Sequence, residues 1–259
     1  MKVRSRVTLS LVALVTIALA QSAAATFVHG NFAGTNVDFN GVQETTQSAG
    51  DPEPLFGTPT VTGNIMTFDP PAYNASTNGA FGFDEDHATL QMDVVQSSVL
   101  DTIESILITE VGDATLSGPG AGAGTGVFLS MSGTIRINAT DVSGAIAPLT
   151  VGWSGTFDTG SFFDAITNPG TTLWTGTALI DVTQILIDNG YAGELATDVT
   201  LSYNNQIQVF SEALASATVQ KKAVDGPAVT IEIIPEPGTA ALLGLGLLGM
   251  GIRSRRARA

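Results

Sequence analysis

Between Val127 and Ala139 the chain alternates with period two. Val127, Leu129, Met131, Gly133, Ile135, Ile137 and Ala139 occupy one phase, and Phe128, Ser130, Ser132, Thr134, Arg136 and Asn138 the other. Successive side chains of a strand point to opposite faces, so this stretch is a strand with one buried face and one wet one. Leu149, Val151, Trp153, Gly155 and Phe157 repeat the pattern against Thr150, Ser154, Thr156 and Asp158. Val199, Leu201 and Tyr203 lead to Asn204-Asn205, a tight-turn pair, and then to Ile207 and Val209. Further strands are expected at 59–68, 88–97, 103–111, 171–181, 214–222 and 227–234.

One internal segment reads as helix. Asp181 or Thr183 caps a short turn through Gln184-Ile185-Leu186-Ile187, with Gly190 as the C-terminal stop. Connections rich in Asn, Gly, Pro and Ser at 45–58, 70–80, 117–126 and 166–171 punctuate the strands. Many short strands with such turns predict an all-β fold, an antiparallel β-sandwich or jelly-roll-like ectodomain. No internal repeat and no linker divides residues 26–233, so one domain with one sizeable core is expected there. The sequence holds no cysteine, which excludes disulfide staples, thiolate metal sites and a cysteine nucleophile.

Charge is partitioned along the chain. Of ten lysines and arginines, three stand in 1–25 and four in 253–259. Arg136, Lys221 and Lys222 remain between them, against all 24 aspartates and glutamates, a net charge of −21. So acidic a surface repels nucleic acid and anionic lipid, and no nucleic-acid partner is expected. Residues 1–25 read as a signal peptide with a helical apolar core. Lys2, Arg4 and Arg6 precede an apolar run from Val7 to Ala20, and Ala23-Ala24-Ala25 supplies the small-x-small pattern of a signal-peptidase site, with the cut between Ala25 and Thr26.

The C-terminal end, 234–259, is built differently. Pro235-Glu236-Pro237-Gly238 precedes an apolar run over 239–252, and Arg253, Arg255, Arg256 and Arg258 stand in a basic tail, 253–259. Pro235 and Pro237 lack a backbone donor and disfavour helix in the residue before each, so the triplet is extended and open to a protease cleft. Beyond Gly238, alanines and leucines favour helix. At about 1.5 Å per residue the run spans roughly 21 Å, short against a hydrocarbon core of about 30 Å. Local thinning and snorkelling arginines reduce that deficit. The run is therefore expected to be a short transmembrane helix, with the arginines on the cytoplasmic side. Gly244-Leu-Gly246-Leu-Leu-Gly249 matches the dinucleotide-binding pattern by accident, having no strand before it and too little chain after it.

This tail resembles the PEP-CTERM sorting signal of Gram-negative bacteria. The resemblance implies recognition near Pro235-Glu236-Pro237 by an exosortase, a membrane protease-transpeptidase. It further implies transient anchoring in the inner membrane, then delivery to the cell surface, the outer membrane or the extracellular matrix. Hosts of such signals usually make exopolysaccharide and biofilm. More loosely, Trp174-Thr-Gly176, Ala196-Thr-Asp-Val199-Thr-Leu201, Asn204-Asn205, Ser211-Glu212 and Lys221-Lys222-Ala-Val-Asp225-Gly226 are similar in order to the exported bodies found upstream of such tails.

Candidate chemistry in the body is sparse. Asp84-Glu85-Asp86-His87 is the densest charged run. Oxygen-rich loops bind calcium, which wants six to eight oxygens, so Asp84, Glu85 and Asp86 are candidate ligands; a solvated turn accounts for the run equally well. His29 and His87 fit no metal spacing, and no Gly-x-Ser-x-Gly elbow occurs. A carboxylate pair for glycoside hydrolysis, such as Asp84 with Glu104 or Glu110, is an arbitrary choice. Ser117–Gly126 lacks the Gly-Lys-Ser/Thr ending of a phosphate loop and reads as a connection. Asn74-Ala-Ser76 and Asn138-Ala-Thr140 match the glycosylation sequon, Asn138 inside an expected strand. Trp153 belongs to an inward-facing set, and the exposed aromatics are too few for a sugar platform. The first expectation is a non-enzymatic exported surface or matrix protein. A calcium-assisted module that holds extracellular polysaccharide is the alternative, and a polysaccharide hydrolase the third. No cofactor other than calcium is expected.

Overall fold

The computed structural model describes residues 25–48, 54–79, 81–98, 101–224 and 226–235. The expected signal helix, the expected transmembrane helix and the basic tail lie outside the described residues. Among those described, fifteen strands and one helix follow in chain order: β1 (Ala25–Ala33), β2 (Val37–Thr46), β3 (Thr60–Thr62), β4 (Ile65–Phe68), β5 (Asn74–Asn78), β6 (Gly82–Gln96), β7 (Ser105–Ser117), β8 (Gly126–Thr140), β9 (Gly144–Ser154), β10 (Thr156–Phe157), β11 (Phe162–Asp164), β12 (Gly170–Asp181), α1 (Val182–Asp188), β13 (Ala196–Ser211), β14 (Ser216–Lys221) and β15 (Val229–Ile234).

The strands make two antiparallel sheets. The first runs β1-β2-β6-β13-β8-β11, with β9 also on β8. The second runs β10-β12-β7-β15-β4-β3, with β14 on β7 and β5 on β14. The apolar phase of each alternation turns inward. Ile135, Ile137, Leu201 and Tyr203 of the first sheet join Ile106, Ile108, Ile180 and Ile231 of the second in a single buried cluster. Two antiparallel sheets sharing one core are consistent with the expected β-sandwich.

The alternation at 127–139 is β8, with Val127, Leu129, Ile135 and Ile137 buried. The helix is also where expected. Asp181 caps it, its Oδ1 accepting from the Gln184 amide at 2.8 Å, and Gly190 follows with φ +90.

Three expectations are corrected. Asn204-Asn205 is no turn, because β13 runs straight through it, paired with β6 on one side and β8 on the other. Two complete ladders and buried partners for Asn205 outweigh a local turn preference. The run from Leu149 to Phe157 is not one strand but passes from one sheet to the other at Gly155. The Gly155 amide donates to the Met131 carbonyl at 2.9 Å, and a Cβ there would collide with the Met131 side chain. Finally, the connection expected at 70–80 contains β5.

One irregularity of the second sheet positions the groups that follow. β14 and β15 pair with the same edge of β7, opposite 112–117 and 105–110 respectively. They behave as one long strand that leaves the ladder between Lys221 and Val229. Both ends of the excursion are tied to Val111: the Lys222 amide donates to its carbonyl at 3.2 Å, and its amide donates to the Ala228 carbonyl at 2.8 Å.

Candidate functional site

The residues expected to carry sorting bracket the fold. Ala25 and Thr26 open β1 at the edge of the first sheet, opposite Thr46 and Thr45. Pro235 follows directly on β15, whose last residue, Ile234, pairs with Ser105 at the start of β7. Glu236, Pro237, Gly238, the 239–252 run and Arg253, Arg255, Arg256 and Arg258 lie outside the described residues. Among the described residues no helix is long and apolar enough to cross a membrane.

The acidic run is neither a loop nor a turn. Asp84, Glu85 and Asp86 sit inside β6, where the pleat sends neighbours to opposite faces. Asp84 and Asp86 turn toward β5 and accept from the Ser76 and Asn74 amides at 2.7 and 2.6 Å. Glu85 turns to the outer face, where the Gln206 and Gln208 amides donate to it at 3.0 and 2.8 Å. The three carboxylates do not converge, and no metal-sized group of acids and histidines forms among the described residues. The histidines serve separate neighbourhoods. His87 Nε2 meets Asn204 Oδ1 at 2.6 Å, and His29 Nε2 lies 3.6 Å from a buried Glu44 carboxylate.

Two arrangements escaped the sequence. The first is a polar centre between the sheets, where the second sheet is broken. Glu110 on β7 and Lys221 on β14 are each almost wholly buried and form an ion pair. The same Glu110 oxygen, Oε2, accepts from the Tyr203 hydroxyl at 2.5 Å and from Asn205 Nδ2 at 2.7 Å. The Lys221 ammonium lies 5.1 Å from the ring centre of Tyr73 and 5.5 Å from that of Trp174, within cation–π range. The Tyr73 hydroxyl donates to the Asn205 carbonyl at 2.7 Å, while the Tyr73 carbonyl accepts from the Lys221 amide at 3.0 Å. Trp174 stands opposite Gly112, and a Cβ on that glycine would collide with the indole.

Burial acts on three groups of this centre. It pushes the Lys221 amine below its ordinary value, although Glu110 pulls the other way. It raises the Tyr203 and Tyr73 hydroxyls well above theirs, and the Glu110 charge adds to both. Glu110 Oε1, Asn205 Oδ1 and Trp174 Nε1 are buried without a hydrogen-bond partner. A sequence signal existed: Lys221 follows Ala217 and Val219 on the inward phase of β14, and Glu110 follows Ile106 and Ile108 on that of β7.

The second arrangement is an aromatic corner on the outer face of the first sheet. Phe83 and Phe210 are cross-strand partners with ring centres 5.4 Å apart. Phe162 lies beside them across Gly126, and the two phenylalanines Phe162 and Phe210 line a hollow of about 310 Å³ with Ala123 and Gly124. The bonded amides of Gln206 and Gln208 continue the face from Phe210.

Comparison with known proteins gives one specific result. Residues 234–256 match the PEP-CTERM protein-sorting motif. That motif implies an exported protein handled by an exosortase-type enzyme. No curated protein matches the chain. Among solved structures, a loop-swap mutant of Xyn11A from Neocallimastix patriciarum is 10% identical, with 76% of this chain and 96% of that one covered at a TM-score of 0.19. A family 11 xylanase from the same organism is 12% identical, with 74% and 99% covered at 0.16. The infectious bursal disease virus Gx strain structure is 12% identical, with 96% and 55% covered at 0.15. Likenesses this weak carry no argument.

Proposed function

We propose that this chain, with the PEP-CTERM protein-sorting motif over 234–256, is a non-enzymatic exported protein of the cell surface or extracellular matrix. The motif carries the reading, and its position supports it. It begins as the last strand ends, so the tail leaves the body without an intervening domain. In this reading signal peptidase cuts between Ala25 and Thr26 and the 239–252 run halts in the inner membrane of a Gram-negative host. An exosortase-type enzyme then reads Pro235-Glu236-Pro237 and releases the acidic body outward. Arg253, Arg255, Arg256 and Arg258 orient the tail.

Intact-mass measurement of protein recovered from exporting cells tests this, with wild type beside Glu236→Ala. The expected wild-type product begins at Thr26 and ends before the arginines, and the variant keeps its tail. Equal processing of both would remove Glu236 from recognition, and full-length chains in the cytosol would overturn the reading.

A second reading, a polysaccharide-holding module, is favoured by the corner of Phe83, Phe210 and Phe162. Aromatic rings beside fixed amide and carboxylate acceptors match the apolar faces and hydroxyl donors of a sugar. The net charge of −21 over residues 26–252 favours a neutral glycan over an anionic one. This reading places no calcium on Asp84, Glu85 and Asp86, since Asp84 and Asp86 are bonded to β5 and Glu85 to the glutamines.

A further inference from the structure

We propose that Lys221 and Asn205 are joined by an intramolecular isopeptide bond, formed with loss of ammonia and with Glu110 as the proton carrier. The inference is independent of the sorting motif and rests on the polar centre alone.

The geometry is specific. Forming an amide from a lysine amine and an asparagine carboxamide requires that one nitrogen lose protons and the other gain one. Glu110 Oε2 contacts both, being paired with Lys221 Nζ and accepting from Asn205 Nδ2 at 2.7 Å. Two groups bonded to one oxygen atom are neighbours, so the amine lies on the Nδ2 side of the Asn205 carboxamide. Tyr73 fixes both backbones, Lys221 through its carbonyl and Asn205 through its hydroxyl. It is a positioning residue. The Tyr73 and Trp174 rings close over the amine and keep water away. Desolvation also favours the neutral, nucleophilic amine.

The step balances without an oxidant, a reductant or a co-reactant. Lys221 starts as an ammonium and passes one proton to the Glu110 carboxylate. The freed lone pair of Nζ adds to Cγ of Asn205, and the carbonyl electron pair moves onto Oδ1. Glu110 gives its proton to Nδ2 and takes one from the now cationic Nζ. Collapse re-forms the C=O bond and breaks Cγ–Nδ2, and ammonia departs. It takes the remaining proton from Glu110 and leaves as ammonium, so the carboxylate is regenerated. The net change is one ammonium and one carboxamide converted to one secondary amide and one ammonium ion.

The product changes the electrostatics of this core. A buried ion pair gives little net stability, because desolvating both charges offsets their attraction. Acylation removes the buried cation, and the new amide N–H joins the Tyr203 hydroxyl in donating to the Glu110 carboxylate that remains. The bond also staples β13 of the first sheet to β14 of the second, next to the break at Gly112, in a chain without cysteine.

Peptide mapping of the denatured full-length protein tests this. A protease cutting after glutamate separates Asn205 from Lys221 at Glu212. The expected result is a branched peptide joining the two segments, lighter by one ammonia than their sum, with fragment ions placing the link at Lys221 and Asn205. Asn205→Ala and Lys221→Met give linear peptides and a lower Tm, and Glu110→Gln leaves wild-type side chains unlinked. Should these variants fail to fold, the wild-type map decides alone. Linear peptides in the wild type overturn the proposal, as does a link lighter by one water that joins Lys221 to Glu110.

Discussion

Single residues act here through the phase they occupy. Lys221 and Glu110 are charged residues on inward phases, and the alternation that buries Val219 and Ile108 buries them too. At the surface, charge works by local capture. The Thr140 hydroxyl, followed by that of Ser143, holds the Glu194 carboxyl below its ordinary 4.5, and the Thr167 amide and hydroxyl hold Asp164 below its ordinary 3.8. A depressed folded pKa means that the fold prefers the charged form. The stabilisation is therefore complete above the ordinary value and is lost as pH falls through the lowered one. Thermal melts between pH 7 and strong acid are expected to show Tm declining through the carboxylate range, with Glu194→Gln losing part of that decline. A Tm that rises on acidification would contradict the assignment.

At the scale of elements, edges and register matter most. β5 is an edge strand, and exposed edges invite pairing with other chains. Asp84 and Asp86 occupy its free amides from the opposite sheet, so the acidic run works as a strand cap. Asp84→Ala is expected to speed hydrogen exchange at the Ser76 amide by about tenfold, the equivalent of roughly 1.4 kcal/mol, while β13 amides are unchanged. Millimolar calcium or a chelator is expected to leave Tm where it is, and a calcium-dependent rise would restore these acids as ligands. Register also builds what no segment contains. Thr156, Thr177, Thr109, Thr230, Thr67 and Thr60 stand side by side across six strands of the second sheet.

The whole molecule is polar along its strands. Ile234, the last residue of β15, pairs with Ser105 at the start of β7, whereas the aromatic corner lies at the other end of the strands, where β7 reaches Ser117. Thirteen residues of β7 span about 43 Å at roughly 3.3 Å each. Phe83, Phe210 and Phe162 therefore stand at the end of the strands remote from Ile234. Phe210→Ala is expected to reduce retention in a gel containing a neutral polysaccharide several-fold, with Tm nearly unchanged because its ring is part-exposed. Equal retention of both proteins would remove the corner from any glycan role.

The sequence by itself determined the strand class, the helix at 182–188 with its Asp181 cap, and the sorting tail. Each is written in neighbours a few residues apart, as period-two alternation, a capping side chain or a Pro-Glu-Pro triplet before an apolar run. What it misread had the same locality. Asn204-Asn205 has the composition of a turn, and only the two ladders of a central strand override it. The acidic run has the composition of a loop, and only β5 across the sandwich gives Asp84 and Asp86 their partners. Tertiary structure alone decided the polar centre. Glu110, Asn205 and Lys221 are separated by 95 and 16 positions and meet only when two sheets close on one core. Burial then turns residues that water would keep apart into a shared site.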